Sequence, residues 1–323
     1  MRLFATFIAA ALAALAAFGM PAAQAAYPEK AITMIVPFPP GGPTDLVARV
    51  IAKAMGEQMG HVIIVDNRGG ANGNIGAALA AKAPADGYTI LYNTSAVALS
   101  PALYKELSYD VQRDLAPVAL AAVVPLALVV HPSVPAATVR EFIAYVKANP
   151  GKLSYGSAGT GNVTHLGALQ FLQANGLDAV HIPYKGSAPA DMDLVGGQIQ
   201  FLTDTVNSVM AFVKDKRMRM LAVTTAKRMS LFPDVPTLAE SGMPGFEVGA
   251  WQGVMVPAAT PKPVIQKLNA ELKKALQNPE VKEKLAQQGA EPLGSTPEEY
   301  GAYIAKEIDR WGKLVRQARV KVD

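Results

Sequence analysis

A short apolar, β-branched run, Ile32-Thr33-Met34-Ile35-Val36, passes directly into Pro37-Phe38-Pro39-Pro40-Gly41-Gly42-Pro43-Thr44-Asp45. An apolar stripe at helical spacing follows, Leu46, Val47, Val50, Ile51, Ala54 and Met55, with Arg49 and Lys53 on its polar side. No other feature constrains the fold as tightly. Glycine-rich backbone joining a buried strand to a helix points free N–H groups and the positive end of a helix dipole at one spot. Gly42 fits the N-cap, Pro43 the first helical position and Asp45 a first-turn acid. The turn is built to hold an anion. It lacks the Gly-Lys-Ser/Thr of a phosphate-binding loop, so it suits a carboxylate better.

The same plan recurs along the chain. Strand patterns at 62–65, 88–92, 153–156, 180–184, 199–204, 218–224 and 249–256 alternate through most of the length with helical patterns, the signature of α/β units on parallel sheets. Polar or glycine-rich turns stand at four strand ends: residues 40–45, 93–95, 157–165 and 185–188. Thr138 with Glu141 forms a capping box, and Thr296, Pro297 and Glu299 make a helix start. Residues 115–130 hold two apolar runs around Pro125, read as one strand leaving a first lobe and another entering a second. About three hundred residues exceed what one core usually encloses. The expected architecture is therefore α/β in two lobes, each a mostly parallel sheet flanked by helices, with two crossover strands as hinge. Lobe one takes residues 26–122 and 225–323, and lobe two takes 123–224. Ligands of open α/β sheets sit beyond the carboxyl ends of the strands, so the two sets of turns face a shared cleft that can hinge shut.

Residues 1–25 read as a cleaved secretory leader: Arg2 supplies a positive charge, residues 3–20 an apolar stretch, and Ala23-Gln24-Ala25 the cleavage signal. The chain has no cysteine, which excludes lipid attachment, disulfides and thiolate chemistry. Loss of Arg2 leaves 29 basic against 26 acidic residues, near balance. The basic residues are scattered without interleaved aromatics, a solvated face and not a nucleic-acid track.

The candidate ligand contacts are Pro40, Gly41, Gly42, Thr44 and Asp45 in the first turn and Asn93 and Thr94 at the third strand end. Across the cleft they are Ser157, Gly159, Thr160, Gly161, Thr164, His165, Gly186 and Asp204. Ser157, Thr160 and Thr164 bring hydroxyls beside free amides. Asp204 also fits a turn or cap acid. His165 fits a first-turn helix histidine, since no acid is placed to orient it as a base. Gly159-Thr160-Gly161 lacks the third glycine of a dinucleotide fingerprint, and Tyr155-Gly156-Ser157-Ala158-Gly159 lacks the first glycine of a nucleophile elbow. The histidines show no metal-binding spacing. Met210, Met218, Met220 and Met229 read as core filling, whereas Trp251 suits either a cleft wall or the core.

Taken in order, Val36-Pro37-Phe38-Pro39-Pro40-Gly41-Gly42-Pro43-Thr44-Asp45, Asp66-Asn67-Arg68-Gly69-Gly70-Ala71-Asn72-Gly73-Asn74-Ile75-Gly76 and Asp86-Gly87-Tyr88-Thr89 carry a resemblance. So do Tyr155-Gly156-Ser157-Ala158-Gly159, Pro183-Tyr184-Lys185-Gly186, Phe232-Pro233-Asp234-Val235-Pro236-Thr237 and Glu240-Ser241-Gly242. With the leader, they resemble the tripartite tricarboxylate transporter substrate-binding proteins, also called Bug receptors. The resemblance implies a two-lobed periplasmic binding protein of type II fold that passes a small organic acid to integral-membrane transporter subunits. It implies a carboxylate gripped by main-chain N–H groups, hydroxyls and bridging waters at Gly41, Gly42, Thr44, Asp45, Ser157, Gly159, Thr160, Thr164 and Gly186. Thr203-Asp204-Thr205 departs from the family's usual Asp-Asn. No enzyme activity, cofactor, metal or nucleic acid is implied, and the expected state is a monomer. Two alternatives stay open: an exported receptor serving a sensory or regulatory partner, and an exported hydrolase using the same cleft.

Overall fold

The computed structural model describes residues 27–318 and Val320. The expected leader and its cleavage point before Ala26 lie outside them. The chain runs β1 (Ile32–Val36), α1 (Pro43–Met59), β2 (Ile63–Asn67), a 3-10 turn (Ala71–Gly73), α2 (Asn74–Ala81), β3 (Thr89–Thr94), α3 (Ala96–Leu103) and β4 (Leu115–Val130). Then come α4 (Val139–Ala148), β5 (Ser154–Ser157), α5 (Val163–Ala174), β6 (Val180–Pro183), α6 (Ser187–Val195), β7 (Phe201–Thr205), α7 (Val206–Lys214) and β8 (Arg219–Val223). The last elements are β9 (Gly249–Pro257), α8 (Lys262–Gln277), α9 (Pro279–Gln287), β10 (Glu291–Pro292) and α10 (Pro297–Ala318).

All strands join one sheet in the order β2-β1-β3-β9-β4-β7-β5-β6, with β8 and β10 also on β4. The outer strands are parallel, β2-β1-β3 in one half and β7-β5-β6 in the other, as α/β units require. Every ladder that involves β4 or β9 is antiparallel, so the sheet is mixed where the halves meet.

β4 is one continuous strand, not the two expected around Pro125. It pairs with β9 from Leu115 to Pro125, then with β7 and β8 from Leu126 or Ala127 onward. Pro125 stands at this hand-over, opposite Gly249, so its missing N–H falls where one ladder ends and the next begins. The second crossing is the return from β8 to β9. Thr224, fully buried, ties the two crossings: Leu126 N donates to its Oγ1 (3.0 Å), and that hydroxyl reaches the Leu126 and Val248 carbonyls at 2.9 and 2.5 Å.

Strand alternation decides what β4 packs against. Leu126, Leu128 and Val130 join Phe142, Phe171 and Phe201 in the larger cluster, whereas Ala127 and Val129 join Leu202, Val206 and Val209 in the smaller. Each such fully buried valine or leucine contributes about 1.5–3 kcal/mol. Met218, Met220 and Met229 belong to the smaller core, as read from the sequence. Trp251 is core and not cleft wall: it packs edge-on against Tyr300 and Tyr303 and donates to Glu307.

Candidate functional site: an interhalf cavity ringed by helix N-termini

A cavity of about 550 Å3 lies between the halves of the sheet, at the strand ends where the turns were expected to face each other. Residues 38–44, Leu46, residues 94–96 and Ala250 line it from the first half. Ala158, residues 162–164, 185–189 and Asp191, Met192, Asp204, Thr205, Asn207, Ser208 and Phe212 line it from the second. The starts of α1, α3, α5, α6 and α7 therefore all border one space.

How each start is capped sets what it offers. α5 is closed by its own N-cap, since Asn162 Oδ1 accepts from Thr164 N at 3.1 Å. α3 is partly closed by Thr94 Oγ1, which accepts from Ala96 N. α1, α6 and α7 carry no side-chain cap. Among the described residues the amides of Gly42, Thr44, Ser187, Ala188, Asn207 and Ser208, all in cavity-lining residues, make no hydrogen bond. Three helix dipoles thus present unpaired donors to the same volume.

Of the sequence-expected contacts, Pro40, Gly41, Gly42, Thr44, Thr94, Thr164, Gly186 and Asp204 border the cavity. Gly41 (φ 76°) and Gly186 (φ 115°) hold backbone that favours glycine. The rest stand behind the wall. Asp45, 2% exposed, accepts from Gly41 N (2.8 Å), Arg49 Nε (2.8 Å) and Asn67 Nδ2 (2.9 Å). Burial opposes its ionisation, but Arg49, then the Gly41 amide and Asn67, outweigh that and hold the carboxyl below its ordinary value. Asp45 shapes the first turn and uses up the Gly41 amide. Asn93 points the other way from Thr94, as neighbours on a strand must, and donates to Tyr300 Oη at 2.7 Å.

The 157–165 loop is also knotted on itself. Ala158 N donates to Thr164 Oγ1 (2.9 Å), Gly159 N to Ser157 Oγ (3.2 Å) and Gly161 N to His165 Nδ1 (3.0 Å). The amides of Ala158, Gly159 and Gly161 are therefore occupied by the loop's own side chains. Thr160 is half-buried and outside the cavity lining. Gly161 (φ 75°) is where the halves touch: a Cβ there would lie 2.5 Å from Leu103 Cδ1. A second touch is Asn162 Nδ2 donating to Asn72 Oδ1 at 3.2 Å.

His181 had no role in the sequence reading. Its Nε2 lies 2.7 Å from Ser157 Oγ, and its ring stacks on His165 with centroids 3.8 Å apart. Burial drives His165 down to about 3, helped by His181, and His181 down to about 4, so both are neutral at pH 7. Ser157 is 1% exposed and lies outside the cavity lining, so the pair braces the loop and does not present a nucleophile. Among the described residues, no group of three or more His, Asp or Glu side chains is placed to hold a metal ion.

Sequence reasoning also missed α7, which brings Asn207, Ser208 and Phe212 to the cavity. Val206, Val209, Met210 and Val213 at helical spacing after Thr205 were the available signal. Asp191, one turn into α6, was missed because acids in a helix pattern, here Asp191 and Asp193, read as a solvated face. Asp191 is 1% exposed.

The model of the tripartite tricarboxylate transporter family receptor matches residues 47–320. The chain belongs to that family. BugT of Bordetella pertussis is 39% identical over 311 residues, covering 96% of this chain and 95% of its own. The periplasmic binding protein BugD superposes with a TM-score of 0.84 at 38% identity, over 92% of this chain and 100% of its own. An R. palustris protein with adipate superposes with a TM-score of 0.86 at 36% identity, over 92% of this chain and all of that one. The fold is thus that of the periplasmic binding proteins. No helix among the described residues is long and apolar enough to cross a membrane.

Proposed function

We propose that this family member is an exported receptor that captures a small organic acid in the interhalf cavity and hands it to the membrane subunits of a tripartite transporter. The observation that carries the reading is the convergence of three uncapped helix N-termini, with unpaired amides, on one cavity of about 550 Å3. Such a ring neutralises an anion with fixed dipoles and needs no cationic side chain. The adipate bound by the R. palustris relative is an acid of this kind.

The contact residues of this reading are Pro40, Gly41, Gly42, Thr44, Thr94, Thr164, Gly186 and Asp204. Asp45, Ser157, Gly161 and His165 act behind them, holding the turns in shape. Three or four bonds of about 1.5–3 kcal/mol each, with a helix-dipole share of roughly 0.3–1, oppose the cost of immobilising the ligand. The balance lies near about −8 kcal/mol, a micromolar affinity. Capture is reversible and without chemistry. The halves are joined by β4 and one return segment, so a ligand touching both favours the shut form. The leader read at residues 1–25 supports export, and the receptor acts as a monomer.

Thermal-shift and calorimetric titration of the purified receptor with a panel of organic acids tests this, because a bound ligand raises the melting temperature by mass action. Saturable one-to-one binding with the acid recovered intact is expected. Turnover of a bound acid, seen by mass spectrometry, or a panel in which no acid binds, would contradict it.

A further inference from the structure

Two carboxyl groups stand in the wall of this anion-binding cavity, and neither has an ion-pair partner among the described residues. Asp204, fully buried at the end of β7, accepts through Oδ1 from Ser187 Oγ (2.9 Å), Thr205 N (2.6 Å) and Thr205 Oγ1 (3.2 Å). Asp191, 1% exposed on α6, accepts through Oδ2 from Ser208 Oγ of α7. The second oxygen of each, Asp191 Oδ1 and Asp204 Oδ2, is buried with no hydrogen-bond partner, and both residues border the cavity. A buried carboxyl oxygen left open costs stability unless a donor meets it. Holding α6 against α7 does not need an acid, so the open valences point to something that enters the cavity.

The two acids also divide the cavity electrically. In the first turn of α1 the acid, Asp45, is ion-paired with Arg49 at 2.8 Å, so the positive helix end acts unopposed. At α6 and α7 the positive ends already face Asp204 and Asp191. Burial raises Asp191, helped by the charge of Asp204. It raises Asp204 too, against the bonds from Ser187 and Thr205. Both carboxyls ionise less readily than an ordinary acid, and the negative charge the pair does carry resists a second carboxylate at this wall. Among the described residues Lys185 is the one cation bordering the cavity; it is exposed and pairs with neither acid.

We propose that Asp191 and Asp204 set the ligand class: a monocarboxylate whose far end is a hydrogen-bond donor, best a protonated amine, and not a symmetric dicarboxylate. The carboxylate lies at Gly42 and Thr44 of α1, and the donor end lies toward the two acids. This rests on the carboxylate-receptor reading above and narrows it.

Matched pairs test it: succinate against 4-aminobutanoate, and adipate against 6-aminohexanoate, by calorimetry on the wild-type receptor and on Asp191→Asn and Asp204→Asn. Asparagine keeps the oxygen that accepts from Ser208 or Ser187. In at least one pair the amino acid binds wild type tenfold or more tighter than the dicarboxylate, and Asp191→Asn cuts that ratio tenfold. A wild-type receptor that binds the dicarboxylates as tightly or more tightly overturns the proposal even if neither variant folds, and leaves the carboxylate reading standing. A ratio unmoved in both folded variants also overturns it. If neither series binds a cooperatively folded wild-type receptor, the carboxylate reading falls and the proposal with it.

Discussion

Gly42 allows a single main-chain donor to be removed with little else disturbed. Its φ and ψ, −77° and 169°, lie where proline rests, and it precedes the first residue of α1. A Cβ placed there would meet the Pro39 carbonyl oxygen at 3.4 Å, an ordinary contact. Gly42→Ala therefore adds a methyl and keeps the N–H, and Gly42→Pro adds the ring and deletes the N–H. The amide makes no bond within the described residues, so its loss leaves no protein acceptor unpaired. A hydrogen bond to a charged group contributes about 1.5–3 kcal/mol, which is roughly 10- to 150-fold in affinity. Calorimetry with an acid that binds wild type should give that ratio between Gly42→Ala and Gly42→Pro. Circular dichroism and urea unfolding should show both variants folded. Equal affinities in the two would refute the claim that this amide grips the ligand.

Other outcomes follow from the same geometry. Asp45→Ala removes the acceptor for Gly41 N, Arg49 and Asn67 and should cost about 2 kcal/mol or more in urea unfolding, with weaker acid binding. Because Asp45 ionises below its ordinary value when folded, that contribution is present above about pH 4 and is lost as pH falls through the folded value. His165 and His181 are lowered as well, to about 3 and 4, so the folded state resists their protonation: stability falls as pH drops from about 6.5 towards 4. His165→Gln, whose side-chain oxygen can still accept from Gly161 N, should lose about 2–3 kcal/mol less than wild type between pH 7 and 4. An identical pH profile for the two would refute the stacked-imidazole account. Thr224→Val leaves the buried Leu126 N–H without its acceptor and should cost about 1–3 kcal/mol in urea unfolding, and an unchanged midpoint would count against a tie at the crossings.

Much of the fold was legible in the sequence because strand-to-turn-to-helix punctuation is local. Thr138 and Glu141 form their capping box, Gly42 and Pro43 start α1, and Thr296 and Glu299 start α10 by reciprocal bonds. Pro125 misled, because proline marks a strand break only where its N–H is needed, and at the hand-over from β9 to β7 and β8 it is not. The cavity's position was legible for the same reason as the turns. Which amides stay open was not: Asp45, Ser157, Thr164 and His165 answer amides of Gly41, Gly159, Ala158 and Gly161 by folding back, and that depends on side-chain direction. Asp191 and His181 acquire meaning only through neighbours distant in sequence, Ser208 for one and Ser157 for the other.

Central to the account is that helix-start amides, and not cationic side chains, neutralise the ligand's carboxylate. Amide-resolved nuclear magnetic resonance of the receptor, titrated with an acid that calorimetry shows to bind, tests this most directly. The account predicts that the N–H resonances of Gly42 and Thr44 move downfield and saturate at one equivalent, while that of Gly41, already bonded to Asp45, moves little. Saturation of the protein with the Gly42 and Thr44 resonances unmoved would contradict it.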